Sequence, residues 1–504
     1  MLKGLWAELK SGSDIRGVAM PTDSEKVNLN DEVIISISNA FLIWLSRKLN
    51  KEISSLTISV GHDSRLSGNK IKALMITAFS KHINKIYDCG LVTTPAMFTA
   101  ISELHCDAAI EITASHLPFN KNGFKFFINS GSLNSNDIEE ILELAQNNEK
   151  PCSSSERVQA EIVNASLMEI YSEKLRQMIC AEINSKENFS QPLSGLKIVV
   201  DAGNGAGGFY ATDVLAPLGA DISGSQFLNP DGNFPNHIPN PDEKRAMDSA
   251  VKATVENSAD LGIIFDTDVD RAGVVSSSGK AVNKNNLIAI ASAIALNGND
   301  GGTIVTDSVT SSNLKNFIES ELKAKQCRFK RGYKNVINKA ILLNQSGVNC
   351  PLAIESSGHA AFRENNFQDD GAYLVTKIII FMVNLKKQGH TLESITENLV
   401  QPAEEREFRL KIQCEDFKSY GKDIIDRLND FVSRKSGWQV NKENCEGIRV
   451  NVNKGDTDGW FILRQSLHDP VIVLNVEGNK AGTLEIILNN LRSFFGTFSN
   501  LDAF

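Results

Sequence analysis

Ser115 stands in the run Thr113-Ala114-Ser115-His116-Leu117-Pro118, at a strand-to-loop turn, with Lys125 ten residues further on. A serine hydroxyl is a weak nucleophile until a base or a local field assists it. His116 and Lys125 are the groups at hand, and phosphoryl carriage is the chemistry they suit. The same residues also fit a capped loop with a solvent-facing lysine. A second cluster, Asp266-Thr267-Asp268-Val269-Asp270-Arg271, follows the apolar run Leu261–Phe265. Carboxylates at alternate positions can converge on one cation, and all-oxygen ligation selects a hard ion such as Mg²⁺ or Ca²⁺. The Ca²⁺-loop glycine and glutamate are missing, so Mg²⁺ sharing a phosphate oxygen fits better; a hydrated acidic loop is the other reading.

Two further loops carry chemistry. In Glu355-Ser356-Ser357-Gly358-His359, Glu355 and Ser357 could hydrogen-bond sugar hydroxyls, and His359 could exchange protons near neutral pH; a lone histidine can equally be structural. In Arg464-Gln465-Ser466-Leu467-His468-Asp469-Pro470, Arg464 can hold a phosphate through two hydrogen bonds, with Ser466 and loop amides adding more.

These loops need strands to aim them. Three segments repeat a strand, a Gly- or Ser-rich loop and an amphipathic helix, which predicts parallel sheets covered by helices. The first has strands Leu56–Val60 and Ala108–Ile112 with a helix over Lys70–Ile83. The second has strands Leu196–Val200 and Leu261–Phe265 around a helix over Gly208–Leu218. The third has strands Thr303–Thr306 and Leu352–Ile354 around a helix over Ser311–Leu322. The chemical loops follow strand C-terminal ends, where ligands bind in such sheets. Asn147–Glu156 reads as a linker. Beyond Gln401 the pattern becomes a smaller α+β domain: strands Phe408–Ile412, Gly447–Val452, Gly459–Leu463 and Val471–Val476, with helices Phe417–Arg434 and Gly482–Phe494. The expected domains are 1–155, 156–298, 299–402 and 403–504.

The 504 residues carry a net charge of −9, which argues against a general nucleic-acid surface. Eight cysteines with no CxxC pair read as reduced core thiols. The longest apolar run, Ile378–Val383, is too short to span a bilayer, and the N-terminus lacks a signal-peptide h-region. A cytoplasmic protein without membrane partners is expected.

Taken together, the four loops resemble those of the α-D-phosphohexomutase superfamily, which contains phosphoglucomutases, phosphomannomutases and phosphoglucosamine mutases. Thr113–Pro118 resembles the phosphoserine loop Thr-Ala-Ser-His-Asn-Pro, and Asp266–Arg271 the metal loop Asp-Gly-Asp-Gly-Asp-Arg. Glu355–His359 resembles the sugar loop Glu-x-Ser-Gly-His, and Arg464–Pro470 the phosphate loop Arg-x-Ser-x-x-x-Pro. Ser13–Gly17, Gly61–Ser67, Asp201–Gly205, Pro230–Pro241 and Gly332-Tyr333-Lys334 resemble further family segments. The departures are Leu117 for Asn, Thr267 and Val269 for the metal-loop glycines, Ile354 for Gly and His468 for Thr. A β-branched residue is costly wherever that turn needs φ > 0.

The resemblance implies three similar α/β domains with mixed sheets plus a C-terminal α+β domain, around a central cleft. It implies a mutase that interconverts hexose 1-phosphate and hexose 6-phosphate through phosphorylated Ser115, with Mg²⁺ held by Asp266, Asp268, Asp270 and an oxygen on Ser115. A hexose 1,6-bisphosphate is the implied intermediate and activator. Arg16, Lys125, His116 and His359 are the implied catalytic groups. Lys334, Glu355, Ser357, Arg271, Arg464 and Ser466 are the implied substrate ligands. Glucose and mannose phosphates are preferred, because Lys334 follows Gly332-Tyr333 and Ser356 stands where glucosamine enzymes carry Gln. Rival readings are a phosphoglucosamine mutase, a silent sugar-phosphate-binding homologue and a phosphatase. The partners are small sugar phosphates, and monomer and dimer both stay open.

Overall fold

The computed structural model describes residues 2–151, 160–466 and 469–502. The chain divides into two compact units, Met1–Asn283 with Ser357–Leu392, and Lys284–Ser356 with Glu393–Phe504.

The first unit is built on an 8-stranded sheet whose path runs through 10–11, 14–18, 121–128, 108–112, 57–62, 85–91 and 161–164, with 131–132 paired to 121–128. Ala108–Ile112 is buried at every position, as expected of a strand covered on both faces. Thr57–His62 runs parallel to it, and Lys121–Ile128 runs antiparallel. Asp14–Val18 joins on the far side of Lys121–Ile128, with Arg16 opposite Gly123. A Cβ at Gly123 would lie 2.0 Å from the Ile15 carbonyl oxygen, so only glycine allows this pairing. The register sets Lys125 opposite Glu111. Arg16 reaches the loop that leaves Ile112, through the Ala114 carbonyl, and Lys125 reaches Asp268 and Asp270. Helix Asp31–Leu49 covers one face, capped by the Asn30 side chain accepting from the Val33 amide. Its acidic first turn and basic last turn complement the helix dipole. Phe41 stacks on Phe126 at 4.6 Å in the core beneath.

The second sheet of this unit orders its strands 281–282, 272–276, 261–265 and 198–201. Leu261–Phe265 runs parallel to Ile198–Asp201 and antiparallel to Ala272–Ser276. The acidic loop 266–271 is the turn of that antiparallel pair. The expected helix Gly208–Leu218 is instead a 3-10 turn, Ala206–Gly208, followed by a π-helix, Tyr210–Leu215. Gly208 sits tightly there: a Cβ on it would lie 2.1 Å from the Leu228 carbonyl oxygen. The expected helix Lys70–Ile83 runs from Gly68 to Phe79.

In the second unit, Thr303–Asp307 lies between parallel neighbours Lys325–Phe329 and Leu352–Ile354. A separate antiparallel sheet orders 404–411, 471–478, 457–465, 448–454 and 438–440. Helices Phe417–Ser433 and Thr483–Phe495 bury Ile424, Leu428, Ile487 and Leu491 with that sheet's apolar residues in one core.

Among the described residues no two cysteines form a disulfide. The core-thiol expectation holds for Cys89, Cys106 and Cys350 but not for Cys445, which is exposed in a loop. Cys152, part of the expected linker and His468 lie outside the described residues. Among the described residues no helix is long and apolar enough to cross a membrane.

Candidate active site

Ser115 is 2% exposed with φ +50, a left-handed conformation that turns its side chain out of the strand direction. Local hydrogen bonds hold it there. The Ser115 amide donates to Thr113 Oγ1 at 2.8 Å, and that hydroxyl donates to Asp63 at 2.7 Å. Arg65 fixes the rest of the loop. Its guanidinium donates to the carbonyls of Ser115, Leu117, Pro118 and Lys121, and Asp63 lies 3.3 Å from its Nε. Five donors in a planar fork suit arginine for such a hub.

Ser115 Oγ donates to Asp266 Oδ2 at 3.0 Å and accepts from Arg271 at 3.1 Å. His116 Nδ1 lies 3.3 Å from the same hydroxyl. Arg271 also donates to Asp266 at 3.0 Å. Lys125 Nζ donates to Asp268 at 2.9 Å and to Asp270. His359 Nε2 lies 3.6 Å from Asp270, while its Nδ1 meets Ser357 Oγ at 2.9 Å. Arg16 donates to the Ala114 carbonyl at 3.3 Å and to Asp14 at 2.9 Å. Nine of the expected residues thus fall in one cluster of the first unit: Ser115, His116, Lys125, Asp266, Asp268, Asp270, Arg271, Ser357 and His359. Arg16 buttresses the loop.

The three aspartates are fully buried, with candidate ligand atoms within 4.8 Å of one another. Asp268 Oδ1 and Asp270 Oδ1 have no hydrogen-bond partner among the described residues. Buried carboxylate oxygens left unbonded are costly unless a cation compensates them. An all-oxygen donor set with spare lone pairs therefore fits a hard divalent ion. Burial and Asp270 push the Asp266 carboxyl well above its usual range. Burial also works against the Asp270 charge, but Lys125, His359 and Arg271 hold it well below. Burial, Arg271 and Arg16 drive His116 down to about 2, and burial lowers His359. His116 is neutral at physiological pH.

Both metal-loop departures were expected to strain the turn, yet only Val269 takes a positive φ, at +66; Thr267 does not. A non-glycine residue in that region costs about 1–2 kcal/mol. Full burial of the Val269 side chain returns about 1.5–3 kcal/mol. Burial wins, which explains how the loop manages without glycine.

Several site contacts could not be read from local spacing, although Asn240 lies in the recognised stretch Pro230–Pro241. Thr94 donates to Asp268 at 2.6 Å through its hydroxyl. Asn240 accepts from Arg271 at 3.2 Å. Glu111 is fully buried, and neither of its oxygens has a hydrogen-bond partner among the described residues. Burial, Asp63 and Asp268 raise its pKa well above the ordinary 4.5, despite Lys125. A carboxyl raised in the fold stays protonated there and ionises in the unfolded chain, so it costs stability as pH rises above 4.5. Glu111→Gln is therefore expected to raise the melting temperature at pH 7 in chelator, with the gain shrinking as pH falls toward 4.5. A lower melting temperature at pH 7 would show that the charge is needed.

The second unit presents its own polar group. Glu355 is buried, accepts from the Gly332 amide at 2.6 Å, and is pushed up to about 8 by burial and Asp307. Gly332 opens helix Tyr333–Gln345 at φ +112 and so sets Lys334 in its first turn. Ser356 is held by Asp307 through both amide and hydroxyl, at 3.2 and 2.6 Å. Arg464 sits near the end of strand Thr457–Gln465, with its Nε buried and unbonded among the described residues. Ser466 Oγ accepts from the Asp469 amide at 3.2 Å.

Comparison with known proteins agrees with this architecture. Phosphoglucomutase/phosphomannomutase α/β/α domain I matches residues 8–151, domain II 169–279 and domain III 283–403. The chain belongs to this family, within the α-D-phosphohexomutase superfamily, whose members are isomerases. It is 29% identical to the phosphomannomutase/phosphoglucomutase of Pseudomonas syringae pv. tomato over 94% of this chain and 92% of that one. It is 26% identical to the phosphoglucomutase of Neisseria meningitidis serogroup A over 97% and 96% of the two chains. A solved phosphoglucomutase/phosphomannomutase family protein from Burkholderia thailandensis shares the fold at a TM-score of 0.78, with 24% identity, covering 99% of this chain and 98% of that one.

Proposed function

We propose that the protein is a cytoplasmic mutase interconverting the 1- and 6-phosphates of glucose and mannose. The observation that carries this is Ser115 Oγ, buried and hydrogen-bonded between Asp266 and Arg271. In this reading phosphorylated Ser115 donates its phosphoryl group to the free hydroxyl of a hexose monophosphate. The sugar hydroxyl oxygen bonds to phosphorus as its proton passes to a nearby base, the bond to Ser115 Oγ breaks, and that oxygen takes up a proton to become the serine hydroxyl, leaving the sugar as a 1,6-bisphosphate. The bisphosphate then turns over and returns its other phosphate to Ser115.

Mg²⁺, held by Asp266, Asp268 and Asp270, would neutralise charge on the transferring group. Arg271 and Lys125 add fixed positive charge, and Arg16 holds the loop carbonyl next to the nucleophile. Arg16 and Lys125 serve as the acid/base groups in this reading, and His359, 3.6 Å from Asp270, is a further proton-transfer group. Arg464 and Ser466 bind the phosphate that is not reacting. Glu355 and Ser357 read the sugar's 3- and 4-hydroxyls, which glucose and mannose share, and Lys334 is a further substrate ligand. A site that ignores the 2-hydroxyl discriminates little between these epimers. Both are expected to turn over with the bisphosphate activator present, ahead of the glucosamine phosphates. Measuring kcat/KM for glucose, mannose and N-acetylglucosamine 1-phosphates tests this. A clear preference for an amino sugar overturns the specificity, and binding without turnover overturns the mutase reading.

A further inference from the structure

Residues 230–241 take no part in the chemistry described above, yet they touch both arginines that hold Ser115. The Phe234 ring lies 5.4 Å from the Arg65 guanidinium carbon. Gly232 packs so tightly on the Ser64-Arg65-Leu66 backbone that a Cβ there would lie 2.5 Å from the Leu66 amide nitrogen and 2.6 Å from the Ser64 carbonyl oxygen. At the other end of the segment, Asn240 Oδ1 accepts from Arg271, the arginine bonded to Ser115 Oγ.

The segment is itself anchored in the second sheet. His237 Nε2 lies 3.0 and 3.1 Å from the two oxygens of Asp201, the fully buried last residue of strand Ile198–Asp201. Its Nδ1 faces the Ile238 carbonyl at 3.0 Å. Both ring nitrogens therefore face acceptors, which the imidazolium form satisfies. Asp201 also accepts from Gln226 at 2.7 Å and Ser249 at 3.1 Å. Asn236 donates to Asn204 at 2.8 Å, and a Cβ at Gly203 would lie 2.8 Å from Pro239.

We propose that residues 230–241, pinned by the Asp201–His237 pair, form a brace that positions Arg65 and Arg271 on the Ser115 loop, with Phe234 and Asn240 as its positioning residues. The proposal rests on Ser115 being the phosphoryl carrier. The brace acts through other residues and touches no reacting atom. It sets where the Ser115 hydroxyl stands, so its loss shows in the transfer step rather than in the binding of a sugar phosphate.

The test uses full-length protein with glucose 1-phosphate and glucose 1,6-bisphosphate, comparing Phe234→Ser, Phe234→Tyr, Asn240→Ala and Ser115→Ala. Misplacing a reacting group by a fraction of an ångström to one ångström costs roughly 10- to 100-fold. The expected result is a kcat lowered by that factor in Phe234→Ser and Asn240→Ala, with KM little changed, and near-normal kcat in Phe234→Tyr. Wild-type kcat in Phe234→Ser overturns the brace. Should Asn240→Ala fail to fold, the half-exposed Phe234 decides the matter. An inactive Ser115→Ala beside active brace variants removes the brace alone. An active Ser115→Ala removes the phosphoserine reading and the brace with it.

Discussion

Asp268→Asn is expected to lower kcat by about 10³-fold or more while leaving the fold intact, because a contact made mainly in the transition state is worth about 4 kcal/mol in a dry, charged site. Asp268 is the best placed of the three aspartates for this test. One of its oxygens is already held by Lys125 and Thr94, and the other has no hydrogen-bond partner among the described residues. The amide keeps the shape and the Thr94 contact but removes the charge. Excess chelator on the wild-type enzyme should reproduce the loss, and added Mg²⁺ should reverse it. Full activity in chelator would contradict the assignment of a divalent cation to this loop.

Arg464→Ala carries the second large effect. Losing a charge-assisted, two-pronged contact to a phosphate should cost about 2–4 kcal/mol in kcat/KM, roughly 30- to 1000-fold. The antiparallel pairing of Arg464 with Val473 fixes its backbone. Burial and the neighbouring Arg331 lower its pKa, as expected where a cationic site awaits an anion. Arg464→Lys should recover only part of the loss, since a point charge replaces a planar fork. Both 1- and 6-phosphates should suffer, as the proposed function has one anchor serve each orientation of the bisphosphate. A defect confined to one substrate would rule out a shared anchor.

The site strands could be read directly from the sequence where an apolar run is buried on both faces. Ala108–Ile112, Leu261–Phe265 and Leu352–Ile354 have the expected bounds. The loops after the first two place Ser115 and the aspartates at strand ends, as expected. Periodicity failed at Gly208–Leu218, because apolar spacing marks a buried helical face without distinguishing an α-helix from the 3-10 turn and π-helix found there. The metal-loop strain was legible in kind but not in place, since only Val269 bears it. The supporting contacts were not legible at all. Thr94 reaches Asp268 across 174 positions of sequence and Arg271 reaches Asn240 across 31, and no local pattern announces either. Arg65 lies within a recognised segment, but its grip on the loop carbonyls depends on the parallel pairing of Thr57–His62 with Ala108–Ile112.

The central claim is that Ser115 carries the phosphate. Dephosphorylated enzyme mixed with glucose 1,6-bisphosphate labelled in both phosphates should take up one label per chain. Peptide mapping should place it on Ser115, and unlabelled glucose 1-phosphate should discharge it as labelled bisphosphate. A label on another residue, or one released only as inorganic phosphate, would contradict the account.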